Sequence, residues 1–264
     1  MCLILVAWQV HPDYPLVLAA NRDEIHARAA TPAAWWPQPH ILAGRDSVAG
    51  GTWLGVTRTG SFAALTNYRD AAAPQLPDAP SRGAIVPQTL SVPLPANERL
   101  QQLERSSSRY HGFNLLFGDA DSLAVFESVP GRGRLLGPGV YGLSNHLLDT
   151  PWPKVVGAKA ALAAALTHLP DQQALLQLLR DEAQADDRQL PRTGLSIEWE
   201  RLLSSAFIRS PDYGTRCSTI LLIDRAGQAR FTELTWNAGG TLAGEVEYQF
   251  RSAATGAQAQ DGPT

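Results

Sequence analysis

The order of elements along this chain predicts an α+β fold in four layers, with two sheets packed face to face and helices covering them. Three observations carry that expectation. Strand-like apolar runs cluster at both ends, the strongest helical pattern lies between them, and no linker-like stretch divides the 264 residues. With 44% hydrophobic and 18% charged residues, a chain of this length can bury a sizeable core without staples. One domain over residues 2–251 is expected, followed by a disordered Gly/Ala/Gln tail over 252–264.

The first two apolar runs, Leu3 to Trp8 and Leu16 to Ala20, are joined by the turn His11-Pro12-Asp13-Tyr14-Pro15 and read as a hairpin buried on both faces. The tetrad Asn21-Arg22-Asp23-Glu24 then falls at the end of the second strand, close to where its partner begins, which brings it toward Cys2. Further strands are expected at Trp53 to Thr57, Ser61 to Thr66, Phe113 to Gly118 and Leu123 to Glu127. Two helical stretches, Gly83 to Ser91 and Asn97 to Ser107, lie among them. Pro153 to Leu169 is the clearest helix, with proline in its first turn, an alanine-rich second half, and Val155, Leu162, Leu166 and Leu169 on one stripe. A second helix follows over Asp171 to Asp181, and strands return at Cys217 to Asp224, Ala229 to Trp236 and Glu245 to Phe250.

Charge and composition exclude several functions. The net charge is −3 and the arginines are scattered, so nucleic acid is not an expected partner. No apolar run approaches the roughly 20 residues of a membrane span. The opening Met-Cys-Leu-Ile-Leu-Val-Ala-Trp lacks a basic start and reads as a strand rather than a signal peptide. The two cysteines, Cys2 and Cys217, have no disulfide-framework, metal or haem-attachment spacing, so no metal site is expected and a reducing, cytoplasmic compartment fits best.

Cysteine at position 2 is small enough for aminopeptidases to remove Met1 and leave a thiol and an α-amine on one residue. An α-amine with a pKa around 8 can serve as the base that a nucleophile needs, and the guanidinium of Arg22 nearby would favour the thiolate. By position alone Cys2 is a small buried hydrophobe at a strand start, and the tetrad a solvated turn. Their meeting on adjacent strands favours a site.

Cys2, Asn21-Arg22-Asp23-Glu24, Gly50-Gly51-Thr52-Trp53-Leu54-Gly55-Val56, Thr66-Asn67-Tyr68-Arg69, Gly142-Leu143-Ser144-Asn145 and Tyr213-Gly214-Thr215-Arg216 together resemble the NRDE family, which includes the transport-and-Golgi-organisation-2 proteins, from residue 2 to about Trp236. That pattern is similar to the N-terminal nucleophile (Ntn) hydrolases related to penicillin V acylase, bile salt hydrolase and acid ceramidase. The resemblance implies the four-layer αββα sandwich of the Ntn-hydrolase type, and cleavage of the C–N bond of a linear acyl amide through a thioester on Cys2. It also implies that Asp23 holds the α-amine, that Arg22 sits beside the thiol, and that Arg216 is a second active-site arginine. Asn145 would offer its side-chain amide to the oxyanion, with Asn67 at the second oxyanion position. In the acylases the Arg and Asp are separated by two residues, whereas Arg22 and Asp23 are adjacent here.

Trp35 and Trp36, in a Pro-rich loop, and Tyr68 and His146 are the candidate substrate-binding residues; the loop would suit an acyl chain or equally pack on the core. Gly50-Gly51 reads as a tight turn, not a phosphate cradle. The competing reading is a non-catalytic protein that binds and traffics haem or a lipid or acyl-CoA on the same scaffold, without a resident cofactor. His146 and Cys2 are the candidate axial ligands for such a transported haem, by position only.

Overall fold

The computed structural model describes residues 2–74, 76–119 and 121–252; Met1 and the expected tail beyond Ser252 lie outside them. In chain order the elements are β1 (Cys2–Trp8), β2 (Leu16–Ile25), β3 (Ala30–Trp35), β4 (Ile41–Asp46), β5 (Leu54–Thr57), β6 (Phe62–Asn67), α1 (Ile85–Ser91) and α2 (Ala96–Ser106). They continue with β7 (Phe113–Gly118), β8 (Leu123–Glu127), β9 (Arg132–Leu136), β10 (Gly139–Leu143), α3 (Pro153–Ala165), α4 (Gln173–Leu179), α5 (Ile197–Leu202), β11 (Tyr213–Ile223), β12 (Gln228–Trp236) and β13 (Leu242–Arg251). A six-stranded sheet runs in the order β10-β1-β2-β11-β12-β13, and a seven-stranded sheet runs β3-β4-β5-β6-β7-β8-β9.

Side-chain alternation along β1 separates the layers. Ile4, Val6 and Trp8 face Leu42, Val56, Phe62 and Leu116 of the other sheet, while Leu3, Leu5 and Ala7 face Val155, Leu162, Leu175 and Leu179 of α3 and α4. The second sheet is covered on its outer side by Val86, Leu100 and Leu103 of α1 and α2, against Leu65, Phe113 and Phe126. The result is the expected αββα order. It explains why β1, β7 and β8 are apolar without alternation, since strands covered on both faces have no solvent side. Among the described residues, no helix is long and apolar enough to cross a membrane.

The structure adds strands that the sequence reading left out. β3, β9 and β10 are sheet edges, and an edge strand is free of the burial that makes a strand visible in sequence; β4, also left out, is an interior strand whose buried run stops after Ile41-Leu42-Ala43. β3 carries Pro32 and a register shift between Thr31 and Ala34, and β9 is largely exposed. The supposed aromatic loop is therefore partly strand: Trp35 ends β3, and Trp36 follows it. The tetrad likewise lies inside β2, which runs on to Ile25.

The Gly50-Gly51 stretch has a specific backbone role. Gly50 has φ of +74°, and a Cβ on Gly51 would collide with the carbonyl of Gly83, against which Thr52 also hydrogen-bonds at 3.0 Å. This crossing pins the segment before α1 to the end of β4. Gly51→Ala should therefore destabilise the fold by about 1–3 kcal/mol in urea denaturation, and an unchanged midpoint would show that the two chains separate freely.

Candidate functional site

Cys2 opens β1 and stands directly opposite Arg22 on β2, which in turn stands opposite Cys217 on β11. Residues paired in this way share a face of the sheet. The row Cys2, Arg22, Cys217 therefore borders the space between the sheets, where it lines a cavity of about 320 Å³. Cys2 and Cys217 are two strands apart, roughly 9.5 Å by strand spacing, which is beyond the reach of a disulfide.

The backbone around Cys2 is held on both sides. Its N lies 3.4 Å from Asn145 Oδ1, and its carbonyl accepts a bond from Ser144 Oγ at 3.0 Å. The Asp23 backbone N–H donates to the Cys2 sulfur. Burial pushes the Cys2 thiol above its ordinary value and outweighs the lowering from the charged amino terminus and from Arg22, with Asp23 adding to the rise. Arg22 thus acts in the expected direction, favouring the thiolate, but desolvation outweighs it.

Asp23 is buried and accepts a 2.8 Å bond from Thr215 Oγ1. Burial raises its pKa against the lowering effect of Lys154, the amino terminus, Thr215 and Arg69. Asn145 turns its oxygen toward Cys2 and gives one Nδ2 bond to the Asn67 carbonyl at 2.9 Å. One Nδ2 hydrogen of Asn145 remains beyond that bond; Asn145 is fully buried and outside the cavity lining, whereas Asn67 lines it.

Arg22 has its Nη2 at 3.5 Å from Asp46 and 3.8 Å from Glu24, while its buried Nη1 has no hydrogen-bond partner among the described residues. Arg28 takes the stronger bond to Asp46, at 2.6 Å. Arg216 reaches the cavity through a bulge: Thr215 pairs with Asp23 and Cys217 with Arg22, which leaves Arg216 as the extra residue. Bulges of this kind re-aim a side chain beside a site. Its Nη1 donates to the carbonyls of Ile25 at 3.0 Å and Arg28 at 2.9 Å.

The four candidate substrate-binding residues stand elsewhere. Trp35 packs edge-on against Phe250 at 5.2 Å with Arg58 over its ring, and the buried Trp36 bonds the Ala43 carbonyl at 2.9 Å. Neither belongs to the cavity lining, because β3 carries them several residues beyond the Ala30-Thr31-Pro32 segment that does line it. Trp53 is the tryptophan on the wall. Tyr68 and His146 bond one another at 2.8 Å, and the second ring nitrogen of His146 meets Thr150 at 2.9 Å. Both imidazole nitrogens are thus occupied, and the pair lies outside the lining.

Several residues around Cys2 escaped sequence reading because no short motif marks them. Cys217 gives its thiol hydrogen to Glu233, whose carboxyl also takes the Ala33 N–H at 2.7 Å and is raised by burial. Arg82 lines the cavity from the segment before α1. Lys154, in the first turn of α3, is fully enclosed, and its Nζ has no hydrogen-bond partner among the described residues. Desolvation lowers it from 10.5 to about 8 although Asp23 favours its charge. A proline-led helix start offers the one signal that could have placed Lys154 against the sheet.

Residues 1–238 match the family described as Transport and Golgi organisation 2. The chain belongs to that family. Among its Transport and Golgi organisation 2 relatives, the Bos taurus protein called Transport and Golgi organization protein 2 homolog is 38% identical over 259 residues, covering 88% of this chain and 92% of that one. The Homo sapiens homolog is 35% identical with the same coverage, and the Drosophila melanogaster Transport and Golgi organization protein 2 is 31% identical, covering 89% and 92%. Two solved structures are similar at low identity. The C2A mutant of a conjugated bile acid hydrolase from Clostridium perfringens has a TM-score of 0.42 at 10% identity, covering 98% of this chain and all of that one. A Caenorhabditis elegans N-acylethanolamine-hydrolyzing acid amidase ortholog has a TM-score of 0.40 at 11% identity, covering 84% and 92%.

Lys154 gives the fold a measurable pH dependence. The native state releases this proton near pH 8, whereas the unfolded chain holds it to about 10.5, so between those values the unfolded state binds more protons and stability rises with pH. Relative to Lys154→Met, the wild type should gain up to roughly 3 kcal/mol from pH 8 to 10.5 in chemical denaturation. A difference that does not change with pH would mean that the ammonium is solvated.

Proposed function

We propose that the protein is an N-terminal cysteine amidase that hydrolyses a linear acyl amide through a thioester on Cys2. The observation that carries this reading is the placement of Cys2: a thiol facing a cavity beside Arg22, on a residue whose N approaches the Asn145 side-chain oxygen at 3.4 Å. Removal of Met1 would turn that N into an α-amine. The amine takes the thiol proton, and the sulfur attacks the substrate carbonyl to give a tetrahedral oxyanion. The free Nδ2 hydrogen of Asn145 is the donor for that oxygen. Collapse expels the amine, which leaves with the proton, and water then hydrolyses the thioester to release the acid and restore the thiol.

A base is required because burial keeps the Cys2 thiol protonated at neutral pH. Asp23, immediately after Arg22, is the carboxylate available to hold the amine in its place. The same wall carries charged groups from β2, β4 and β11, which fits the binding of a ligand with polar groups such as an amide.

Intact mass after treatment with a thiol-reactive acyl probe tests the proposal. Met1 should be missing, the wild type should take up one acyl group, and Cys2→Ala should take up none. Retained Met1, or equal labelling of the two proteins, would sink the catalytic reading. Once a turned-over amide is in hand, Asn145→Ala should lower kcat by about 100- to 1000-fold while the Cys2 thiol still labels; an unaltered kcat would remove Asn145 from the oxyanion site.

A further inference from the structure

Charge around Cys2 is unevenly paired. Asp46 is engaged with Arg28 at 2.6 Å and Arg22 at 3.5 Å, and Glu24 lies 3.8 and 4.0 Å from the same two arginines. Glu233 is turned to the Ala33 N–H and the Cys217 thiol, and Asp23 to Thr215 and Lys154. Of the remaining guanidiniums on the wall, Arg45 is exposed and stacked over Trp36 at 4.7 Å, while Arg82 and Arg216 are partly enclosed and have no carboxylate in salt-bridge range among the described residues.

Their protein bonds hold them in place without neutralising them. Arg82 donates one bond from Nη1 to the Gly112 carbonyl at 3.0 Å, and Arg216 donates from Nη1 to two backbone carbonyls. A guanidinium has five N–H groups, and both side chains line the cavity, so donors beyond these bonds are available to a ligand there. The two come from opposite sides: Arg82 from the segment pinned by the Gly51–Gly83 crossing, and Arg216 from the bulge in β11. Burial lowers the pKa of both, and a negative charge at Cys2 or Glu24 is what favours the cation of Arg82. Partly desolvated, oriented and unneutralised guanidiniums cost free energy in the empty protein, and a carboxylate bridging them recovers it.

We infer that Arg82 and Arg216 form an anion subsite beside Cys2, so that the amide taken by this cavity carries a carboxylate, as an N-acyl amino acid does. The inference rests on the amidase reading for the reaction but not for the binding. The subsite selects the acidic amide over a neutral one of equal chain length, and it places the acid group at the rim between the two sheets while the scissile carbonyl lies at the thiol.

The test uses an N-acylglycine and the N-acylethanolamine with the same acyl chain, titrated calorimetrically into the Cys2→Ala protein, where no turnover is needed. The acidic ligand should bind about 10- to 100-fold more tightly, and the preference should shrink as salt is raised. Adding Arg82→Gln should abolish most of the preference, while Arg82→Lys, which keeps the charge, should restore part of it. Because the readout is a ratio on one protein sample, a loss of folded protein does not imitate it. Equal affinity for the two ligands, or no binding of the acylglycine at millimolar concentration, overturns the inference. Preference for the acidic ligand in Cys2→Ala together with no hydrolysis of either amide by the wild type upholds the subsite and removes the amidase reading instead.

Discussion

The pairing of β1, β2 and β11 is the constraint on which the rest depends. β1 is buried along its whole length, and its register fixes Cys2 against Arg22 and Arg22 against Cys217. A slip of one residue would turn every side chain of β1 to the opposite face, exchanging Ile4 and Val6 for Leu3 and Leu5 in the inter-sheet core and removing the thiol from the cavity. The apolar packing that stabilises the molecule is therefore the same packing that aims the thiol. Few side-chain contacts to Cys2 are needed, because the strand behind it cannot shift.

That rigidity lets the site carry charge that a softer structure would solvate. Arg69 and Glu200 form a buried ion pair at 2.9 Å, with Trp152 beneath the guanidinium at 4.6 Å. The Arg69 backbone N–H bonds the Asn145 carbonyl at 2.6 Å, so this pair also fixes the segment that presents Asn145 to Cys2. Buried pairs of this type contribute little net stability against well-packed apolar residues. Their consequence is positional, and the loop from Leu143 to Trp152 is held by several: Asn114 Nδ2 bonds the His146 carbonyl at 2.8 Å, and Glu127 takes the Leu148 N–H at 2.8 Å.

Much of this was legible in the sequence, for definite physical reasons. Fully buried strands announce themselves as apolar runs, so β1, β7 and β8 were placed within a residue, and the Pro153 helix start was marked by the proline itself. The meeting of Cys2 with Arg22 followed from hairpin geometry. The edge strands β3, β9 and β10 were not legible, since they lack continuous burial, nor was interior β4, buried only over Ile41 to Ala43, whereas edge strand β13 was; without β3, Trp35 and Trp36 read as a loop. Arg82, Lys154 and Glu233 were illegible for a different reason. Each is brought to the site by long-range packing, through the Gly51–Gly83 crossing, the docking of α3, and the β11–β12 ladder, and single side chains leave no local pattern. Tyr68 and His146 stand outside the cavity lining although Asn67, next to Tyr68, is on it, because neighbours in sequence need not share a face.

Alternation along β2 sets what surrounds Cys2 at the start of β1. Arg22 faces the inter-sheet cavity with the Cys2 thiol, while Asp23, one residue on, is paired with Thr215 and faces the helix layer where Lys154 lies. A cysteine in mid-strand would have its thiol on one face and its backbone N–H committed to the sheet, with the carboxylate out of reach on the other side. At position 2 the backbone nitrogen is at the strand's free end. It meets the Asn145 oxygen at 3.4 Å rather than a ladder partner. Adjacent Arg22 and Asp23 thus place one charged residue on each face of the sheet beside the start of β1.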